Sequence, residues 1–275
     1  MTDLAKHPTH IRPTLFRAYP HLVVAESTRH GGHSAAPYYS QNLGLYTEDA
    51  PERVRMNRNN FFAALGFRAD QVAGARQVHG SRVLRVMEPG EYDGYDALIT
   101  NHKDILLSIT IADCCPVLLY DPVHGAVGAA HAGWRGTTEG VVGKMEAAMR
   151  DFYGTKASEC LVYLGTSISQ DAYEVDADVA DHFAERYKRW DPSTKKYYLD
   201  VAAANVDQLL QLGVPRDQIA RSPYCTSQDY EHFFSHRREQ GKTGRSLAVI
   251  GMQAELAEGI EHSLGSATTT AHGGI

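Results

Sequence analysis

The feature that most restricts the fold is a run, ILLSITIADCCPVLLYD at 105–121, in which apolar and polar residues fail to alternate. A half-buried strand alternates with a period of two, whereas a strand covered on both faces reads as a continuous apolar segment. The run is therefore read as one central sheet strand. The turn PVHG leads into AVGAAHAG at 126–133, a second strand made largely of small residues. Small side chains there permit close backbone approach by a neighbouring element or a ligand. If the two strands form a hairpin, an even loop sets His131 opposite Pro116, with Cys114 diagonal to it on the same face. An odd loop brings Cys115 opposite His131 instead. Spacing leaves both registers open.

Other segments complete a mixed α/β domain. HLVVAESTR from His21 reads as a strand entering the turn RHGGHS. PERVRMNRNNFFAALGF (51–67) reads as a helix, with Pro51 and Glu52 at its start and Gly66 as its stop. Val54, Phe61, Phe62 and Leu65 share a face there, leaving Arg58 on a flank. WRGT opens another helix, with Thr137 as the N-cap and Gly154 as its end. Helices are also predicted over 176–188 and 199–213, and strands over 160–169, near 219–225 and over 246–252. The expected organisation is a lead-in (1–20), one catalytic domain (21–258) and a disordered tail (259–275).

Composition narrows the function. Of 275 residues, 43% are hydrophobic, enough for a sizeable core, and no apolar stretch is long enough to span a bilayer. The N-terminus lacks the apolar segment of a signal peptide, so a cytoplasmic location is expected. A net charge of −6 carries no basic footprint for nucleic acid, and no membrane partner is expected. Four cysteines, two of them adjacent, are too few to staple such a chain and read as filler or chemistry.

The chemistry concentrates in QVHG (77–80), ADCCP (112–116) and HAGWRG (131–136). Each places a His or Cys beside a Gly, Pro or small residue. Two His and one Cys with a vacant fourth position form a catalytic zinc arrangement, because structural zinc sites are closed by four protein ligands. The competing interpretation is ordinary: a hydrogen-bonded rim histidine and cysteine packed as filler. Spacing alone favours the ordinary one.

These motifs resemble the YfiH-like, laccase-domain-containing proteins, described as purine nucleoside phosphorylases. The resemblance runs from about residue 22 to 252. It includes STRHGGHS (27–34), QNLGL (41–45), the NR pair (57–58), QVHG, DALIT, ADCCPVLLYDP, GAVGAAHAGWRGT, YEVDADV (173–179), YYLDVAAAN (197–205) and FFSHRREQGKTGR (233–245). It implies a single-domain α/β fold, a mixed β-sheet core flanked by helices, of the YfiH-like, cysteine-hydrolase-like kind. It also implies zinc, rather than copper, on His79, Cys114 and His131, which selects Cys114 over Cys115. The implied activities are phosphorolysis of adenosine, inosine, guanosine and methylthioadenosine, with phosphate as co-substrate, and adenosine deamination. Asn42, Arg58 and Gln77 match the nucleoside and phosphate pocket, with Ser27 and Arg135 as further candidates. Arg58 is the expected phosphate ligand, since a planar guanidinium makes paired charge-assisted hydrogen bonds. A monomer is expected. One departure stands out: GTSISQDAYEV (165–175) replaces a GPCCYEV-like segment, with Thr166 for the usual Pro and Asp171 and Ala172 for the cysteines.

Three alternatives compete. A multicopper oxidase needs about ten His and Cys ligands in paired H-x-H patterns, and the chain contains no H-x-H. A metal-free amide hydrolase of a cell-wall precursor would use Cys114 as nucleophile and His131 as base. A nucleoside-binding regulator would show no turnover. The basic loop SHRREQGKTGR lacks phosphate-loop spacing and reads as pocket rim. Asp113 reads either as a carboxylate supporting a ligand or as a turn residue.

Overall fold

The long apolar run is two strands, not one. In the computed structural model, which describes residues 7–254, Leu106–Ile111 and Cys115–Asp121 belong to different sheets. The chain crosses between them at Ala112–Cys114. Both halves are buried on both faces, which is why the run does not alternate.

In chain order the strands are β1 (His10–Ile11), β2 (Leu22–Ser27), β3 (Val72–Arg76), β4 (Val83–Arg85), β5 (Gly90–Asp93), β6 (Ala97–Thr100), β7 (Leu106–Ile111) and β8 (Cys115–Asp121). They continue as β9 (Ala126–Ala132), β10 (Leu161–Leu164), β11 (Glu174–Val175), β12 (Lys188–Asp191), β13 (Lys196–Leu199), β14 (Ile219–Arg221) and β15 (Ser246–Met252). The helices are α1 (Pro51–Ala64), α2 (Trp134–Thr138), α3 (Val141–Tyr153), α4 (Ala177–Ala180) and α5 (Val201–Gln211). One six-stranded sheet runs β1-β2-β15-β7-β3-β5, and a second runs β14-β10-β8-β9-β6-β4. A three-stranded sheet, β11-β13-β12, stands beside them.

The two large sheets pack face to face, and the helices cover their outer sides. Leu107, Ile109 and Ile250 of the first sheet share a core with Leu118, Tyr120, Val127 and Ala129 of the second. On the outside of the first sheet, Phe61, Phe62 and Leu65 pack on Val23, Ala25 and Val249. Outside the second, Met145, Met149 and Leu209 pack on Val117, Leu119 and Ala130. Burying each large side chain contributes roughly 1.5–3 kcal/mol, so these layers hold the sandwich together. The chain is a single-domain mixed α/β fold, as its sequence implies.

Local differences from the expectations have physical reasons. Thr137 lies inside α2, its hydroxyl accepting from Asn205 Nδ2 at 2.9 Å, and Gly133 takes the N-cap. The 176–188 segment forms only the short α4 before turning into β12; Ala180 and Phe183 are its buried anchors in the small core, with Val179 and Tyr187 packed against them at its edge. Leu199 ends β13, and Asp200 caps α5 by accepting from Ala203 N at 2.8 Å. Within the lead-in, His10 and Ile11 pair with Ser27 and Glu26 of β2. The expected tail, 259–275, lies outside the described residues. No helix among them is long and apolar enough to cross a membrane.

One buried acid links the sheets. Glu26 on β2 is 1% exposed. It accepts from Tyr163 Oη at 2.5 Å and from Thr166 N at 2.7 Å, both belonging to the β10 side. Burial raises its pKa despite these hydrogen bonds from Tyr163 and Thr166. The folded state therefore keeps a proton that the unfolded chain releases, and stability falls as pH rises above the ordinary carboxylate value. We expect Glu26→Gln to gain stability relative to wild type between about pH 5 and about pH 8, measured by urea unfolding at both ends. An unchanged difference across that window would remove the protonated state from the account.

Candidate metal centre

The site forms where the chain crosses between the sheets. β8 and β9 pair in the even-loop register, with Pro116 opposite His131 and Cys115 opposite Ala132. His131 therefore shares a face with Val127 and Ala129, towards the other sheet, while Cys115 joins the core beneath α3. Cys114 sits one residue before β8, at the crossing itself. His79 arrives on the loop between β3 and β4. The donor atoms of His79, Cys114 and His131 all lie within 4.8 Å of one another. The two imidazoles meet edge to face, centroids 4.8 Å apart.

Glycine makes this approach possible. A Cβ on Gly133 would lie 3.0 Å from Cys114 Sγ and 3.4 Å from the His79 ring. A Cβ on Gly136 would lie 2.8 Å from the Gly80 carbonyl oxygen. The small residues of HAGWRG thus let α2 close onto the QVHG loop, as the sequence allowed.

Asp96, which sequence reasoning missed, organises the centre. It is fully buried at the head of β6. Its carboxylate accepts from His131 Nδ1 at 2.9 Å, His79 N at 2.9 Å, Gly80 N at 2.8 Å and Val78 N at 3.3 Å. Burial raises its pKa, but the hydrogen bonds from His131 and these amides outweigh that and hold it below the usual range. The signal was an aspartate heading an apolar strand in DALIT, since a buried charge demands partners. Bonded at Nδ1, His131 presents Nε2 as its free ligand atom, the usual way a carboxylate fixes a metal-binding histidine. Asp113 does something different: it accepts from Thr226 Oγ1 at 2.6 Å and Arg237 N at 2.7 Å, so the turn interpretation holds.

The two cysteines differ electrostatically. Burial pushes the Cys114 thiol up, but the His131 and then His79 imidazoles outweigh it, and its pKa falls to about 6. Reciprocally, burial lowers His131, while Cys114 and Asp96 raise it to about 9. Cys115, with burial dominant, is pushed up to about 12. Two nitrogens and a readily ionised sulfur fit a borderline-soft divalent metal such as zinc with an open position.

A cavity of about 490 Å³ opens beside the centre. Gln77 and Arg135 line it, together with Tyr46, Arg76, Trp134, Tyr173, His236, Arg237 and Arg245. Gln77 is held by Thr110, donating to its carbonyl at 3.0 Å and accepting from its N–H at 2.8 Å. Arg135 stacks on Trp134 at 4.2 Å. The basic loop supplies His236, Arg237 and Arg245, so it does shape the rim. Arg58, Asn42 and Ser27 do not line the cavity. Arg58 donates to the Leu43 carbonyl at 3.0 Å and to Glu91 at 3.1 Å. Asn42 Oδ1 accepts from Gly44 N at 3.1 Å and Arg245 N at 2.8 Å, while Ser27 Oγ accepts from Leu247 N at 3.0 Å. In the divergent segment, Thr166 serves Glu26, Asp171 pairs with Arg189 at 3.1 Å, and Ser167 and Ile168 line a small recess behind Cys114.

Fold and site together define a two-sheet α/β protein with a two-histidine, one-cysteine centre beside an arginine-rimmed cavity. A family model described as multi-copper polyphenol oxidoreductase laccase matches residues 23–253, and the chain belongs to that family. It is 41% identical over 242 residues to a purine nucleoside phosphorylase of Deinococcus radiodurans, covering 86% of this chain and 92% of that one. It is 36% identical over 249 residues to purine nucleoside phosphorylase YlmD of Geobacillus stearothermophilus, covering 85% and 91%. The crystal structure of YlmD from Geobacillus stearothermophilus superposes with a TM-score of 0.84 at 34% identity, over 90% of this chain and 97% of that one. The Bacillus licheniformis protein YfiH gives 0.85 at 29% identity, again over 90% and 97%. Despite the family's description, only two groups of three His, Cys or acidic ligands converge among the described residues.

We expect Asp96→Asn to weaken zinc binding roughly 10–100-fold, read by competition with a chromophoric chelator. Wild-type affinity in that variant would strip Asp96 of its orienting role. In metal-free protein at neutral pH, iodoacetamide should modify Cys114 and spare Cys115, with zinc protecting Cys114. Peptide mapping that finds Cys115 modified first contradicts the assignment.

Proposed function

We propose that this chain is a zinc-dependent purine nucleoside phosphorylase acting on adenosine, inosine, guanosine and methylthioadenosine, and that it also deaminates adenosine. The observation that carries the proposal is the convergence of His79, Cys114 and His131 within 4.8 Å at the wall of a nucleoside-sized cavity rimmed by arginines. The names of its relatives supply the substrate class. The proposed enzyme is a cytoplasmic monomer, in a compartment that keeps the Cys114 thiol reduced.

In phosphorolysis a phosphate oxygen bonds to C1′ while the C1′–N9 bond breaks, its electron pair leaving with the purine. Phosphate must be held against the sugar, and the purine must be oriented for departure. Arg245 and Arg237 are suited to the first task, offering charge-assisted hydrogen bonds from the rim. Arg237 is placed through its main-chain N–H on Asp113, and Arg245 through its N–H on Asn42. Asn42 and Arg58 are therefore positioning residues in this scheme: Arg58 grips Leu43 and so sets the Gly44–Tyr46 wall. Gln77, fixed by Thr110, and the aromatic faces of Tyr46, Trp134 and Tyr173 offer surfaces for the base. A metal on His79, Cys114 and His131 would supply Lewis-acid polarisation beside the substrate. The same chemistry suits deamination, which needs water activated next to purine C6.

A second interpretation has an observation of its own. Cys114, His131 and Asp96 stand in the order of nucleophile, base and orienting carboxylate, the arrangement of a cysteine hydrolase. His79 converging on the same sulfur favours a metal instead.

Incubation with adenosine, with and without phosphate, followed by separation of adenine, inosine and hypoxanthine, tests both. Adenine should appear only with phosphate, inosine without it, and both should vanish on chelation and return with zinc. Arg245→Ala should raise the KM for phosphate about 10–100-fold, the cost of one or two charge-assisted hydrogen bonds. Turnover that ignores phosphate overturns the phosphorylase, and activity that survives chelation but not alkylation favours the hydrolase.

A further inference from the structure

The second converging group belongs to none of the machinery above. His7, the first described residue, meets His30 in the turn after β2 and His232 in the loop between β14 and β15. His30 Nε2 lies 3.3 Å from His7 Nδ1 and 3.0 Å from His232 Nδ1. A ring nitrogen carries either one proton or one lone pair, so His30 Nε2 cannot form a full hydrogen bond to each neighbour. Two nitrogens bound at about 2.0–2.1 Å to one tetrahedral ion stand about 3.3 Å apart, close to both separations. The rings are not stacked. His30 meets His7 at 61° and His232 at 70°, with edges rather than faces turned together.

Main-chain contacts bring the three rings to one place independently of the imidazoles. Thr28 N donates to the Thr9 carbonyl at 3.0 Å, and Arg29 N donates to the His232 carbonyl at 2.8 Å. The neighbouring positive charge is already paired, because the Arg29 guanidinium contacts Glu239 at 3.1 Å and the Tyr39 and Tyr230 carbonyls.

We propose that His7, His30 and His232 form a second metal site, taking one divalent transition-metal ion of borderline softness through three imidazole nitrogens. The remaining coordination positions are open to water. The ion clasps the N-terminal segment to the loop that carries His236, Arg237 and Arg245 to the cavity. This site is independent of the nucleoside reading: it stands whether or not the chain cleaves nucleosides.

The test is titration of the metal-stripped full chain with Co²⁺. Wild type should bind two equivalents. One should show the near-ultraviolet charge-transfer band of a thiolate ligand, and the other only weak visible bands, as expected for nitrogen ligands alone. His30→Ala should lose the second and keep the first, whereas Cys114→Ser should do the reverse. Should His30→Ala fold poorly, His7→Ala, altered outside both large cores, should weaken the second equivalent by at least the roughly 10–100-fold seen for lesser changes around metal sites. A wild type that binds only the equivalent with the thiolate band, or two undiminished equivalents in both histidine variants, overturns the proposal.

Discussion

The Asp96 carboxylate is buried away from bulk solvent and must be satisfied by the protein. An uncompensated charge there would cost several kcal/mol, comparable with a domain's whole net stability. The compensation comes from the main chain of the QVHG loop and from the His131 ring. The Asp96 carbonyl also accepts from His131 N at 2.7 Å. One residue therefore fixes the backbone and the tautomer of one histidine and the loop that carries the other. It holds the Val78–Gly80 stretch of the β3–β4 loop against β9, while Ser81, donating to Glu139 at 2.7 Å, holds the rest of that loop to the end of α2.

The other half of the constraint is the crossing at Ala112–Cys114. A strand leaving one sheet and entering its partner must turn at the edge of the inter-sheet core, where packed side chains give way to a cavity. Cys114 stands at that edge, half-exposed and facing two imidazoles, while Cys115 belongs to a sealed core. The neighbouring thiols thus acquire opposite character from one step of the chain. Behind the crossing, Glu26 ties β2 to β10 through Tyr163 and Thr166, so the sheets cannot slide apart at the end where the centre sits.

Sequence alone revealed those parts of the molecule that depend on local pattern. The β8–β9 hairpin followed from two apolar runs flanking a turn, whereas its register did not: spacing allowed an even or an odd loop, and the pairing of Pro116 with His131 selects the even one. The apolar face of α1 followed from the spacing of Val54, Phe61, Phe62 and Leu65. The break in 105–121 was hidden because Ala112–Cys114 contains neither Gly nor Pro, and both flanking strands are covered on both sides. β12 and β13 were hidden because Lys, Arg and Asp dilute their alternation. The cavity rim was only half legible. Arg58 sits in a recognisable motif, yet Glu91 and the Leu43 carbonyl, far away in sequence, draw its guanidinium from the cavity. Arg237 and Arg245 reach the rim through Asp113 and Asn42, partners that no spacing rule connects.

Those partners also bear on how rigid the site is. His79 and Asp113 adopt positive φ, 60° and 92°, a conformation that costs a non-glycine residue roughly 1–3 kcal/mol. Each is held by charge-assisted hydrogen bonds worth about 1.5–3 kcal/mol apiece: His79 N gives its hydrogen to Asp96, and the Asp113 carboxylate receives those of Thr226 and Arg237. The strain is thus offset by contacts that also aim the side chains, and ligand atoms and rim arginines are placed before any substrate arrives. Preorganisation of this kind avoids reorganisation at the moment of reaction. It also explains why HAGWRG carries glycine at 133 and 136: a methyl group at either would push apart surfaces that the two aspartates hold together.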